Sequence, residues 1–137
     1  MNIPNDLIIK RGSIFHSCEF KDIDHCKFFV IMGEDGDNYV GYFFINSNIN
    51  PYIRKKTELF NMQVLIKRSD YEKILTHDSF IATHYINRIP KKKLSEQLDK
   101  GLTTYRGCLE KEDEERLLEN LRNSDLYSDI EKESFFK

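Results

Sequence analysis

Up to residue 90 the apolar residues of this chain come in short, dense runs separated by polar punctuation, the signature of strands rather than long helices. Lys27-Phe28-Phe29-Val30-Ile31-Met32 and Tyr39-Val40-Gly41-Tyr42-Phe43-Phe44-Ile45 flank the cluster Gly33-Glu34-Asp35-Gly36-Asp37-Asn38. A Gly/Asp/Asn cluster between two aromatic and β-branched runs predicts a hairpin. Both runs are almost continuously apolar, which suits strands at the centre of a small barrel. Ile8 to His16 reads as a strand broken at Gly12, and Asn61 to Ile66 as another. Ser79 to Ile86 reads as one more, carried on by Arg88-Ile89 until Pro90 ends it. Asn46 to Pro51 is a polar loop. Ser69, followed three residues later by Glu72, predicts one or two helical turns or a 3₁₀ segment.

After Pro90 the spacing changes and the remainder is expected to be helical. Pro90 to Leu98 predicts a short helix with Gly101 as its C-cap. Leu109 to Leu126 predicts a longer one, with Leu117, Leu118, Leu121 and Leu126 as a narrow apolar stripe on a charged rod. Residues 129–137 are expected to fray, with Phe135-Phe136 able to dock. The whole chain is expected to be a single domain: a β body over about 8–90, a helical tail over 91–128, and the frayed end. Strands followed by helices give a mainly β (α+β) class and a small half-open barrel with appended C-terminal helices.

Composition narrows the class of molecule. With 137 residues, 39% hydrophobic and 32% charged, the chain can bury a core without staples. No apolar run approaches the roughly 18 residues of a membrane span. Met1 to Asp6 lacks the basic start and apolar stretch of a secretory signal. Cys18, Cys26 and Cys108 are odd in number and show no metal-ligand spacing, so they are expected to be thiols in a reducing cytoplasm. Neither a metal nor a cofactor is expected, since no metal cluster, phosphate-binding glycine loop or dinucleotide fingerprint is present. The net charge is only −2, but it is unevenly spread. Residues 51–100 carry Arg54, Lys55, Lys56, Lys67, Arg68, Arg88, Lys91, Lys92 and Lys93, whereas residues 110–133 are mostly acidic. A basic middle points to an anionic ligand, and charged solvated surface explains the same letters equally well.

Several segments, in order, resemble the MazF/PemK family of toxin endoribonucleases. Arg11-Gly12-Ser13-Ile14-Phe15 resembles that family's opening strand, and Lys27 to Ile31 stands where the family has an arginine-proline followed by an apolar strand. Ile45-Asn46-Ser47 resembles its strand end. Asp78 to Ile81, Ile86 to Ile89 and Lys93-Leu94 resemble its closing segments. The resemblance spans about residues 11–126 and lies in order and spacing more than in letters. It implies an SH3-like barrel, a homodimer, inhibition by an antitoxin peptide, and metal-independent cleavage of single-stranded RNA through the 2′-hydroxyl. Residue by residue, the family's catalytic arginine falls on Lys27 or the neighbouring His25, and its strand-end hydroxyl on Asn46 or Ser47, of which only Ser47 keeps the hydroxyl. A carboxylate of some members falls on His84. Its basic strand position carries Asn87, with Arg88 one step on and so on the opposite face.

The expected catalytic set is therefore Lys27, Ser47 and His84, with Arg54, Lys55, Lys56 and Arg88 binding RNA. Lysine can stabilise a phosphorane but lacks the arginine fork. Imidazole can move a proton near neutral pH. Each also has a plain reading: a solvated lysine at a strand start, a hydrogen-bonded histidine, a charged loop. His77-Asp78-Ser79 cannot act as a triad merely by adjacency. Two further readings compete. One is a barrel that binds RNA or a peptide without chemistry; the other is a regulatory protein whose Leu117, Leu118 and Leu121 face meets a partner.

Overall fold

A computed structural model of the chain describes residues 9–20, 25–47, 55–57, 63–84 and 87–136. Seven strands lie within them: β1 (Ser13–Ser17), β2 (Lys27–Asp35), β3 (Asn38–Asn46), β4 (Gln63–Ile66), β5 (Ser79–Ala82), β6 (Asn87–Pro90) and β7 (Thr103–Cys108). The helices α1 (Lys91–Asp99), α2 (Lys111–Asn123) and α3 (Asp129–Phe135) follow the strands or alternate with them. The strands form one antiparallel sheet in the order β4-β5-β3-β2-β1-β7, with β6 also paired to β3. The chain is thus mainly β, of the α+β class.

The β2–β3 hairpin closes on two residues, Gly36 and Asp37, with Asp35 paired to Asn38. Gly36 has φ +53°, and only a glycine takes that first central position of a tight hairpin turn without strain. Along β2 the side chains alternate between two cores. Phe29 and Ile31 join Phe15, Leu94 and Leu98 on one face. Val30 and Met32 join Val40, Phe43, Ile45, Leu117, Leu121 and Phe136 on the other. The unbroken apolar run thus reflects a sheet covered on both faces, by α1 on one and by α2 and α3 on the other.

Helix α1 buries Leu94 and Leu98, one turn apart. It ends as the sequence predicts: Gly101, at φ +73°, donates to Leu98 O, and Leu102 donates to Gln97 O, a left-handed glycine cap. Helix α2 buries Leu117 and Leu121 completely against its own sheet. That removes the expectation that this leucine face meets a partner. Leu126, expected on the same stripe, lies beyond the helix and is exposed.

Two expectations for the C-terminal third are corrected, and one for the segment before it. The C-terminal third is not all helical, because Thr103–Cys108 forms strand β7 against β1. Its register shifts between Ile14 and Phe15, with Arg106 as the extra residue of a bulge, so the alternation that marks a strand is broken. Residues 129–136 are not frayed: the Ser128 side chain accepts from Glu131 N while the Glu131 side chain accepts from Ser128 N, capping α3 at its start. Phe136 is fully buried, its ring beside those of Phe43, Tyr127 and Phe135. Finally, the long strand expected from Ser79 onward is two strands, β5 pairing Ile45–Asn46 and β6 pairing Asn38–Tyr42.

The thiol expectation holds only for Cys108. Cys18 and Cys26 are joined as a disulfide, their Cα atoms 4.0 Å apart.

Candidate functional site

Ser17 pairs with Lys27, Phe28 with Ile45, and Asn46 with Phe80. The end of β1, the start of β2, the end of β3 and the start of β5 therefore meet at one rim of the sheet. Here a cleft of about 240 Å³ opens, lined by His25, Cys26, Lys27, Asn46, Ser47, Ser79 and the 74–76 turn, with Phe28 and Ile45 as its apolar floor.

Lys27 is the central charge. Its side chain donates to Asn46 Oδ1 at 2.5 Å and stands 5.9 Å from the centroid of the Phe44 ring. Both partners are neutral, and among the described residues no carboxylate forms an ion pair with it. Partial burial pushes its ammonium below the ordinary lysine value. The plain reading of a solvated strand-start lysine is thus replaced by a half-buried cation held in place by an amide and an aromatic face. Such a group gains more from an arriving anion than a surface lysine does, because water screens it less.

Ser47, exposed at the end of β3, lines the same cleft. His84 does not line it. Ser79 begins β5 at the cleft and Ala82 ends it, roughly 10 Å of strand away, and His84 follows in the excursion before β6. There the Gln63 side-chain amide meets His84 Nδ1 at 3.0 Å, and burial lowers the histidine's proton affinity. Neighbouring Thr83 is anchored by its hydroxyl to Asn120 and by its carbonyl to the Tyr127 hydroxyl. Of the three expected catalytic residues, two converge. The imidazole that does reach the cleft is that of His25.

Of the expected RNA-binding set, Arg88 does not line this cleft. Arg54 lies outside the described residues, and Lys55 and Lys56 are exposed. Arg88 pairs with Val40 in register, toward the turn end of β3. Its guanidinium lies 5.0 Å from the Phe135 centroid and 3.9 Å from Asp35. Lys91 binds Glu34 at 2.8 Å at that same end.

A larger cleft of about 420 Å³ lies at that end, lined by Ile9 to Arg11, Ile31 to Glu34, Tyr39, Ser134 and Phe135. Its size is not an argument for chemistry. Arg11 donates through Nε to Met32 O, and Glu34 is occupied by Lys91. The charges here fasten α3 and the β2–β3 turn to the body. His16 packs edge-near to Phe28, centroids 4.6 Å apart, with its proton affinity lowered by burial and then by Arg106.

Cys26, between His25 and Lys27, lines the cleft, a place the sequence reading did not give it. Nothing local marks it; only the β1–β2 register, which sets it opposite Cys18, reveals its place. Among the described residues no group of three His, Cys, Asp or Glu side chains could hold a metal ion. No helix among them is long and apolar enough to cross a membrane. Compared with known families and curated proteins, the chain matches no family model and no curated sequence.

Proposed function

We propose that this chain is a MazF/PemK-like endoribonuclease, built as an SH3-like half-open barrel and cleaving single-stranded RNA without a metal at the Lys27 cleft. One observation carries the reading: Lys27 and Ser47, singled out from the resemblance alone, line one cleft together with an imidazole, that of His25. The chemistry needs a base for the 2′-hydroxyl, an acid for the departing 5′-oxygen, and positive charge for the phosphorane. His25 takes the 2′-hydroxyl proton, the 2′-oxygen attacks the adjacent phosphorus, and the P–O5′ bond breaks as the 5′-oxygen takes a proton from water, giving a 2′,3′-cyclic phosphate. Lys27, which pairs with no carboxylate among the described residues, stabilises the charge that builds on the phosphoryl oxygens. Asn46 sets the position of the ammonium, and Ser47 supplies a hydroxyl to the phosphate. A cytoplasmic homodimer and an antitoxin peptide lying across the cleft accompany this reading.

The test is cleavage of single-stranded RNA in chelator. Wild type yields cyclic-phosphate ends; Lys27→Ala and His25→Ala each slow cleavage by about 10²-fold or more; His84→Ala keeps the wild-type rate. No cleavage by wild type, or equal rates in all four proteins, overturns the assignment.

The second reading, an RNA-binding module without chemistry, is favoured by one contact: the Lys27 ammonium is already engaged by Asn46. It predicts salt-sensitive RNA binding that weakens in Lys27→Ala and yields no product.

A further inference from the structure

Ser17 and Lys27 are the last cross-strand pair of β1 and β2, so Cys18 and Cys26 face each other one step beyond the sheet. Their disulfide closes the β1–β2 connection at its base. Both cysteines are exposed. On the closed side the bridge holds Cys26, and Cys26 is flanked by His25 and Lys27, all three lining the cleft. We propose that Cys18 and Cys26 are a reversible dithiol–disulfide switch that sets the order of His25 and the charge at the Lys27 cleft. Its effect on RNA rests on the function proposed above; the switch itself does not.

Three features support reversibility. Exposed disulfides are open to attack by a small thiolate, unlike structural bridges sealed in a core. A cationic neighbour, the Lys27 ammonium next in sequence, favours the thiolate of Cys26, which speeds exchange. The third cysteine offers no competing partner: Cys108 pairs with Ser13, at the other end of β1, and its sulfur contacts the Tyr105 hydroxyl at 3.1 Å. The switch therefore has two states. In a reducing cytoplasm, where permanent bridges are rare, such a pair belongs to the sensing kind.

Closure proceeds by exchange with an oxidised low-molecular-weight disulfide such as oxidised glutathione. One cysteine thiolate attacks it, forming a mixed disulfide and releasing one glutathione. The second thiolate then displaces the other glutathione and forms the Cys18–Cys26 bond. The two electrons reside in the two glutathione thiols released, and the two cysteine protons go to solvent or to those thiolates. Oxidation acts on the cleft in two ways of the same sign: it fixes the residue before Lys27, and it removes a thiolate that would repel phosphate. The bridged form is the one that engages RNA.

The experiment uses the full chain carrying Cys108→Ser, equilibrated over a series of glutathione ratios and quenched by thiol alkylation. Mass measurement should show a single two-electron transition within that series. A pair that stays bridged throughout, or never bridges, overturns the switch. In parallel, the His25 ring resonance, assigned by its loss in His25→Gln, should move between the two states, while the fold, read by amide dispersion, persists. An unmoved His25 resonance overturns the link to the cleft. RNA binding by the bridged protein should exceed that of the reduced protein and of Cys18→Ser by about 5- to 100-fold. Equal binding in both states overturns the control of RNA. No RNA binding in either state overturns the function proposed above, leaving the switch to be judged by the glutathione titration and the His25 resonance.

Discussion

Phe136→Ala tests whether the C-terminal helix is part of the folded body. Phe136 is fully buried, its ring 5.6 Å from that of Tyr127 and 6.4 Å from that of Phe43, so truncation removes a complete aromatic side chain from between α3 and the sheet. The surroundings cannot collapse freely, because Arg122 donates through Nε to Phe136 O at 2.7 Å and the Ser128–Glu131 cap fixes the start of α3. Loss of transfer energy plus an unfilled cavity sets the cost at about 3–5 kcal/mol. Against a total of about 5–15 kcal/mol, that is a large share. For a chain of this length it corresponds to a fall in melting temperature of roughly 10–20 °C. Urea unfolding followed by far-ultraviolet dichroism should show a lower midpoint with an unchanged slope. Ile130→Ala is the control, since Ile130 is 78% exposed on the same helix and its change should stay within about 0.5 kcal/mol. A cost below about 1 kcal/mol for Phe136→Ala would mean that the end of the chain contributes no packing, and the account of α3 given above would be wrong.

Three other outcomes are expected. Tyr71→Phe removes a hydroxyl that donates to the buried Asp113 carboxylate at 2.5 Å and accepts from Glu110 N at 2.9 Å, leaving both partners short; equilibrium unfolding should show a loss of about 1–3 kcal/mol, and an unchanged midpoint would refute it. Gly33→Ala should cost about 1–3 kcal/mol in the same assay, because a Cβ there would stand 2.4 Å from Phe135 O, a backbone atom of the docked α3; a neutral effect would show that α3 is free to yield. Burial holds the proton affinities of His16 and His84 below the usual imidazole value, with Arg106 adding to the effect at His16. Just below about pH 6.5 the unfolded chain then binds more protons than the folded one, so their contribution is complete above that pH and is lost as pH falls toward the folded values. His84→Gln should flatten the decline in stability between about pH 7 and 5 relative to wild type, and an identical slope would refute the assignment.

What the sequence revealed depended on how local the cause was. The β2–β3 hairpin was legible because its turn chemistry and both its apolar runs lie within twenty consecutive residues. Helix α1 was legible because Leu94, Leu98 and Gly101 carry its buried face and its stop. β7 was not: its β-favouring residues stop at Thr103-Thr104-Tyr105, and Arg106 bulged out with Gly107 at φ +124° breaks the alternation that would extend them into a strand. The cap of α3 was present as Ser128-Asp129-Ile130-Glu131, but seven residues of helix are stabilised mainly by the burial of Phe135 and Phe136, a tertiary cause.

The same distinction explains why the cleft was half-legible. Lys27 and Ser47 end adjacent strands of one hairpin, so reading the hairpin correctly is enough to bring them to the same rim. His84 depends on how the later segment pairs. Read as one strand from Ser79 to Ile89, it carries every residue on a simple alternation; divided into β5 and β6 along the single length of β3, it puts His84 in the excursion between them, held by Gln63. The residue that replaces it, His25, comes from the β1–β2 connection, whose ends are fixed only when β1 and β2 are paired and Cys18 meets Cys26. Chemistry that hangs on a strand end is readable when the strand's partner is its neighbour in sequence. When the partner is set by register across the sheet, a residue expected at the cleft can stand a whole strand away from it, and His25, read only as an alternative to Lys27, can take its place.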